Sequence, residues 1–117
     1  ISPEVAETLT DMLAASLETE TSHSMTLVDG YRLAGKTGTA QIPMPYGYDP
    51  ERTMASFIGW GPVDQPRFII YVKLDAPMVS RWGSSTAAPT FSKMVQRLVI
   101  HMEIPPEEIR QHLAVDE

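Results

Sequence analysis

The stretch YRLAGKTGTAQI, residues 31–42, is the most informative segment of the sequence and decides how the rest is interpreted. It reads as an extended segment with Gly35 and Gly38 inside it. A glycine within a strand costs stability, so it often marks a place where a ligand or another backbone approaches closely. The sequence therefore predicts a strand here that something else in the protein, or a ligand, lies against.

Two further strands are predicted downstream. Residues 67–74, RFIIYVKL, are dense in β-branched and aromatic side chains, and their unbroken apolar run predicts a strand covered on both faces. Residues 43–50 carry three prolines, which remove donors and fix dihedral angles, so a loop is predicted there. Residues 52–60 alternate in polarity, which places Met54, Ser56, Ile58 and Trp60 on one face and Thr53, Ala55 and Phe57 on the other.

Helices are predicted at both ends of the chain. Ser2-Pro3 is typical of a helix start, and the helix is expected to fade near Glu18. Residues 19–29 are polar, and a loop with one turn is predicted there. Pro89 opens a second helix, Pro105-Pro106 stops it, and residues 106–114 are expected to add one short helical turn. The apolar positions of the two main helices follow helical spacing: Val5, Leu9, Met12, Leu13 and Leu17, then Phe91, Met94, Val95, Leu98, Val99 and Met102. The predicted fold class is α+β, with three antiparallel strands flanked by an N-terminal and a C-terminal helix.

The composition narrows the functional classes. The chain has 117 residues and a net charge of -6, and this negative charge disfavours a nucleic-acid partner. It contains no cysteine, which excludes a disulfide framework and a thiolate zinc site. The charge is uneven: residues 1–29 carry -6, residues 30–100 carry +4 and residues 101–117 carry -4. The cationic middle suits an anionic ligand, although surface solvation accounts for the same pattern.

The glycine-rich segment matches two different motifs. Residues 30–37 fit the nucleotide-binding pattern G-x-x-x-x-G-K-[ST]. That loop needs a buried strand before it and a helix after it, and the sequence predicts neither. Lys36-Thr37-Gly38 also fits K-T-G, an element of penicillin-binding proteins and class A β-lactamases. A surface strand with an ordinary lysine is the third interpretation, because three letters recur by chance.

The K-T-G chemistry explains why these residue types stand together. A lysine supplies positive charge beside a nucleophile, and threonine hydroxyls can bind a substrate carboxylate. Glycine exposes the strand, so a peptide or β-lactam can lie along its backbone. An amide N–H after the glycine can stabilise the oxyanion of a tetrahedral intermediate.

The wider sequence resembles one family. Residues 33–41, LAGKTGTAQ, resemble the extended K-T-G strand of class B penicillin-binding proteins, the peptidoglycan transpeptidases of division and elongation. Residues 55–62 and 67–77 look like the two strands that follow in that family, the second ending in Asp-x-Pro. Residues 82–84 and 87–91 look like its small-residue loop and closing helix. The resemblance covers nearly the whole chain in the family's order.

Two of the family's three motifs are missing. No serine has a lysine three residues later, which excludes the nucleophile motif S-x-x-K. The chain contains no asparagine, which excludes the second motif, S-x-N. The resemblance therefore implies that residues 1–117 are the C-terminal portion of a transpeptidase domain, with the nucleophile in upstream sequence.

The resemblance also implies roles for individual residues. Lys36 is expected to face the second-motif serine and relay protons, and Gly38 to leave room for the ligand. Thr37 and Thr39 are expected to offer hydroxyls to the ligand carboxylate. The Thr39 N–H is expected to form half of the oxyanion hole. The chain alone is then expected to be inactive.

The implied parent protein is a D,D-transpeptidase anchored at the outer face of the bacterial cell membrane by a segment not present here. Its expected partners are peptidoglycan stem peptides ending in D-Ala-D-Ala, β-lactams, the rest of the domain and the cell-wall synthesis machinery. No cofactor or metal is expected, since His23, His101 and His112 lack ligand spacing. A non-catalytic binding module of the same fold is the alternative.

Overall fold

A computed structural model describes residues 1–19 and 26–115. One helix, three consecutive strands and two further helices follow one another among these residues and form an α+β arrangement, which confirms the predicted fold class. The sheet is antiparallel, and β2 lies between β1 and β3. The elements in chain order are α1 (Pro3–Thr19), β1 (Ala34–Met44), β2 (Gly47–Gly61), β3 (Phe68–Asp75), α2 (Ala87–His101) and α3 (Glu107–Val115).

Helix α1 begins where the sequence predicts. The Val5 N–H donates to the Ser2 hydroxyl at 3.4 Å, so the hydroxyl satisfies one of the first free amide groups. The helix is tied to the segment before β1 by Arg32, which donates to Asp11 and to Glu18 at 2.9 Å each. Both hydrogen bonds raise the pKa of the Arg32 guanidinium, and the bond to Asp11 has the larger effect. This ion triad fixes the entry of the chain into β1.

The alternation predicted for β2 is confirmed. Thr53, Ala55 and Phe57 are buried, whereas the intervening residues of the strand are partly or largely exposed. Helix α2 covers the buried face, where the Phe57 and Phe91 rings lie 4.6 Å apart between centroids. A Cβ on Gly59 would stand 2.6 Å from the Phe91 ring, so only glycine lets the ring pack this closely on the strand. The core of the molecule lies between this face and α2.

The loop predicted at residues 43–50 is wrong. β1 continues to Met44 and β2 begins at Gly47, which leaves a two-residue turn and a long hairpin. Prolines are tolerated on edge strands and at bulges, and this hairpin contains both an edge strand and a bulge. β1 is an edge strand, and the pairing register shifts between Gln41 and Pro43.

Asp49 replaces the strand hydrogen bonds that are lost at this shift. Its Oδ1 accepts the N–H groups of Glu51 at 2.8 Å and of Arg52 at 2.9 Å, and its Oδ2 accepts Arg52 Nε at 2.7 Å. These bonds favour the charged carboxylate, with those from the Arg52 and Glu51 amides strongest, and lower the pKa of Asp49 to about 2. A carboxylate therefore holds the bulge that the prolines require.

The prediction that β3 is covered on both faces is also wrong. Ile70 and Val72 are buried under α2, but Ile69 and Tyr71 are 67% and 61% exposed. The reason is the placement of the helices: α2 packs on β2 and β3, whereas α1 packs on β1. The apolar run of β3 thus has one covered face among the described residues.

The last segment forms more than the single turn that was predicted. α3 spans nine residues, and its Glu107 N–H donates to the Gly30 carbonyl at 2.8 Å. Arg110 donates to the Pro105 carbonyl and pairs with Asp64 in the β2–β3 turn. α3 therefore connects the segment before β1 with the β2–β3 turn, both at the same end of the sheet. The loop predicted at residues 19–29 falls partly on residues 20–25, which lie outside the described residues.

The Phe91 contact predicts a large loss of stability on truncation. Phe91 is fully buried, so Phe91→Ala is expected to destabilise the fold by about 3–5 kcal/mol through lost burial and a cavity. Ile100→Ala, on the exposed side of the same helix, is the matched control and is expected to cost less than about 0.5 kcal/mol. Urea unfolding measures both. Equal losses for the two variants would contradict the assignment of the core.

The lowered pKa of Asp49 predicts a pH dependence of stability. Since its pKa is about 2 in the folded state and about 3.9 when unfolded, its contribution is complete above pH ~4. That contribution is lost as the pH falls toward 2. Thermal unfolding at several pH values is expected to show the advantage of the wild type over Asp49→Asn shrinking in this window. Glu51→Gln, at an exposed neighbouring position, is the control. A constant difference across the window would refute the role of the Asp49 charge.

Candidate active site

The predicted motif lies on the edge strand of the sheet. Lys36, Thr37, Gly38 and Thr39 pair with residues 55–58 of β2 on one side only. Within residues 1–19 and 26–115, no strand covers the other side of β1. Edge strands present unpaired N–H and C=O groups, to which an extended peptide can add as a further strand. The interpretation of residues 30–37 as a nucleotide-binding loop is excluded, since Lys36 and Thr37 lie within strand β1 and the next element is strand β2, not a helix.

The side chains of Lys36 and Thr37 meet although they start on opposite faces of β1. Lys36 Nζ lies 3.3 Å from the Thr37 carbonyl oxygen and 3.4 Å from Thr37 Oγ1. The ammonium therefore curls along its own strand and donates to the threonine hydroxyl. Lys36 is exposed and carries three donors, so capacity remains for a further acceptor. Positive charge and a hydroxyl thus stand together at the open edge.

Thr39 is connected to the loop after β3. Its Oγ1 accepts the N–H of Gly83 at 3.2 Å. Gly83 is buried so closely against the sheet that a Cβ there would stand 2.7 Å from the Gly38 carbonyl oxygen and 2.5 Å from that of Ser56. The sequence alone did not reveal this contact. Its one signal was the Trp82-Gly83-Ser84 stretch, whose small residues permit close approach.

Thr53 anchors the same loop from the neighbouring strand. Its hydroxyl donates to the Arg81 carbonyl at 2.6 Å, and its carbonyl accepts the Ala76 N–H at 2.9 Å. One buried residue of β2 therefore holds the loop at two points, five residues apart. This arrangement fixes the loop beside the motif strand.

Two grooves border α1, and one of them includes a motif residue. A groove of about 500 Å³ between α1 and the sheet is mostly apolar and reaches Lys36 and Trp60. A second cavity, of about 510 Å³, lies between α1 and the β2–β3 turn and does not contact the motif. Arg32 and Asp64 contribute to its lining and are already engaged in ion pairs. The chemistry of the motif strand therefore belongs to an open edge and not to an enclosed pocket.

Other site types find no support in the described ranges. Across residues 1–19 and 26–115, no three His, Asp or Glu side chains are grouped as metal ligands would be. His101 ends α2 and His112 lies on α3, whereas His23 falls outside the described residues. The same residues include no helix with the length and apolarity needed to cross a bilayer.

Comparisons with known proteins identify the family of the chain. Residues 1–96 match the family model of the penicillin-binding protein transpeptidase domain. The chain is 30% identical over 114 residues to a probable peptidoglycan D,D-transpeptidase (PbpC) of Pseudomonas aeruginosa, covering 97% of this chain and 20% of that protein. It is 35% identical over 115 residues to the penicillin-binding protein PbpB of Mycolicibacterium smegmatis, covering 90% of this chain and 18% of that protein.

Solved structures show the same relationship. The transpeptidase domain of Burkholderia pseudomallei penicillin-binding protein 3 matches with a TM-score of 0.81 at 31% identity, covering 92% of this chain and 33% of that one. Penicillin-binding protein 3 of Mycobacterium tuberculosis, solved in complex with ampicillin, matches with a TM-score of 0.78 at 30% identity, covering 91% of this chain and 26% of that one.

The fold of the described residues, an antiparallel sheet with helices packed on it, is thus shared with transpeptidase domains of known structure. The chain belongs to the penicillin-binding protein transpeptidase family. It spans about a fifth of the length of the curated relatives described above.

Proposed function

We propose that residues 1–117 form the C-terminal, K-T-G-bearing portion of the transpeptidase domain of a peptidoglycan D,D-transpeptidase. The observation that carries the proposal is the edge strand β1, on which an ammonium group and two hydroxyls lie beside a backbone edge that no other described strand pairs with. The parent enzyme cross-links cell-wall stem peptides by serine acyl transfer and is acylated by β-lactams. The serine belongs to sequence outside this chain.

The substrate lies along the open edge of β1. A stem peptide ending in D-Ala-D-Ala adds to β1 as an antiparallel or parallel strand, and its terminal carboxylate meets the hydroxyls of Thr37 and Thr39. Gly38 adds no side chain to this part of the strand, and the place of its missing Cβ is taken by the Ser56 hydroxyl, which would lie 2.5 Å from it. The ligand orientation is set by backbone hydrogen bonds and by a charge-assisted contact at the carboxylate.

Acyl transfer then follows the usual two steps. The serine oxygen attacks the carbonyl carbon between the two D-Ala residues, and the Thr39 N–H donates to the developing oxyanion. Lys36 faces the second-motif serine and helps to return a proton to the leaving D-Ala nitrogen. An amine of a second stem peptide attacks the acyl-enzyme and forms the cross-link. This chemistry is complete without a metal or cofactor.

The names of the relatives support the cellular setting. The matches include D,D-transpeptidases named FtsI and the stage V sporulation protein D of Bacillus subtilis. We place the parent protein at the outer face of the cell membrane, where peptidoglycan is built, with the cell-wall synthesis machinery as its partner. The rest of the transpeptidase domain covers apolar faces that this chain leaves exposed, whereas the free edge of β1 stays open to the ligand.

The chain by itself is inactive in this account. It has neither S-x-x-K nor S-x-N. Loss of the nucleophile removes the acylation step outright, and half of the oxyanion hole also belongs to the nucleophile's own amide. A non-catalytic module of the same fold, which binds a ligand without acylation, is the second candidate. The missing serine motif in this chain is the observation that favours it.

Covalent labelling separates the two candidates. A fluorescent penicillin is expected to label the full-length protein at the serine of an S-x-x-K motif outside these residues, and not to label the isolated chain. Mass spectrometry of the tryptic peptide locates the adduct, and replacing that serine with alanine is the control. An unlabelled full-length protein would support the binding module, and an adduct within residues 1–117 would overturn the proposed assignment.

The role of Lys36 predicts a loss of rate. Lys36→Ala in the full-length protein is expected to slow acylation by about 100- to 10,000-fold, the range typical for a positioned proton-transfer group. Lys73→Ala is the matched control, because Lys73 is exposed on β3 and pairs with Asp75 at 3.2 Å. Stopped-flow or gel-based kinetics with a fluorescent penicillin measures both variants. A rate for Lys36→Ala equal to that of the control removes Lys36 from the mechanism.

A further inference from the structure

We propose that Gly83 is a positioning residue that presets the hydroxyl of Thr39 as a hydrogen-bond donor, and so contributes to the selection of ligands with a free carboxylate. The inference rests on the proposed acyl-transfer function. It adds a residue from the loop after β3 to the carboxylate-binding part of the site.

Both backbone polar groups of Gly83 are used. Its N–H donates to Thr39 Oγ1 at 3.2 Å, and its carbonyl accepts the N–H of Ala88 at 2.9 Å. Ala88 lies in the first turn of α2. Gly83 therefore links the motif strand directly to the helix that closes the core. Movement of Gly83 would affect both.

Gly83 can form both hydrogen bonds because it has no side chain. The space where a Cβ would stand is bounded by backbone atoms, at 2.5 Å from the Ser56 oxygen and 2.7 Å from the Gly38 oxygen. Neither atom can yield cheaply, because both belong to the backbone of the paired strands β1 and β2, in which Gly38 lies opposite Ser56. Any other residue at this position would push the loop away from β1.

The hydrogen bond decides what the Thr39 hydroxyl can offer to a ligand. A hydroxyl has one proton and two lone pairs, and here one lone pair receives the Gly83 N–H. The hydroxyl proton of Thr39 cannot point at the Gly83 N–H, which is itself a donor. This proton therefore remains available to an acceptor atom of a ligand. The hydroxyl proton of Thr37 is free for the same reason, because Thr37 Oγ1 accepts a hydrogen bond from Lys36 Nζ. Two hydroxyls with their protons free, beside an ammonium group, suit an anionic acceptor such as a carboxylate.

The first experiment compares a carboxylate ligand with its neutral ester. In the full-length protein, Gly83→Ala is expected to lower the second-order acylation rate constant for ampicillin by about 10- to 100-fold, the loss typical of a hydrogen bond to a charged group. The rate constant for ampicillin methyl ester is expected to stay nearly unchanged. Ser85→Ala, at an exposed position in the same loop, is the matched control and is expected to alter neither. Equal losses for the two compounds, or no loss for either, would overturn the proposal.

A double-mutant cycle tests whether Gly83 acts through Thr39. Thr39→Val removes the hydroxyl with little change in shape and is expected to cost a similar factor with ampicillin. If Gly83 works through that hydroxyl, the double variant Gly83→Ala/Thr39→Val is no slower than Thr39→Val alone. Losses that multiply would show that the two residues act independently, and the proposal would fail.

Hydrogen exchange keeps the proposal testable if Gly83→Ala does not fold. The Gly83 amide is expected to be protected in the wild type and in Thr39→Ser, and to exchange faster in Thr39→Val. Equal exchange in the three proteins would refute the hydrogen bond. A wild-type protein that neither ampicillin nor its ester acylates would instead refute the proposed acyl-transfer function, while the exchange result would still report on the bond.

Discussion

Among residues 1–19 and 26–115, the motif strand β1 is hydrogen-bonded to a neighbouring strand on one side only, and this constraint shapes the rest of the structure. A strand with a free edge keeps its position only if its ends and its faces are held by other elements. Here the ion pairs of Arg32 hold the segment that leads into β1, and the pairing with β2 fixes the register of the strand. Gly83 packs closely against the Gly38 carbonyl on one face of β1. The free edge itself remains open, which is the condition for adding a peptide as a further strand.

Stability and the proposed chemistry use different contacts of the same sheet. The apolar contact between Phe57 and Phe91 joins β2 to α2 and belongs to the core. The polar contacts of Thr39, Gly83 and Thr53 join the motif strand to the loop before α2. Both sets converge on α2, so the helix that closes the core also fixes the site. Because the two sets of contacts are separate, a change at Phe91 is expected to lower the stability of the fold, whereas a change at Gly83 is expected to alter ligand binding.

Much of the fold could be predicted from the sequence because local patterns decided it. The alternation in β2 and the spacing in α2 reflect burial against one face, which sequence periodicity reports. The apolar spacing in α1 does not, since Val5, Leu9 and Met12 are exposed in the part of the chain that the structure describes. The hairpin at residues 43–50 could not be predicted, because the prolines there depend on a bulge held by Asp49. The exposed face of β3 could not be predicted either, since hydrophobicity does not tell which faces the chain itself covers. The motif residues were found from their order, but the Gly83 contact joins residues 44 positions apart and needs three-dimensional packing.

The central claim is that β1 binds the carboxylate end of a ligand whose carbonyl is attacked by a serine outside this chain. A crystal structure of the full-length protein acylated by ampicillin tests it most directly. The account predicts the ligand along the free edge of β1, with its carboxylate in hydrogen-bond contact with Thr37 and Thr39 and its acyl oxygen on the Thr39 N–H. A covalently bound ligand whose carboxylate and acyl oxygen both lie away from β1 would contradict it.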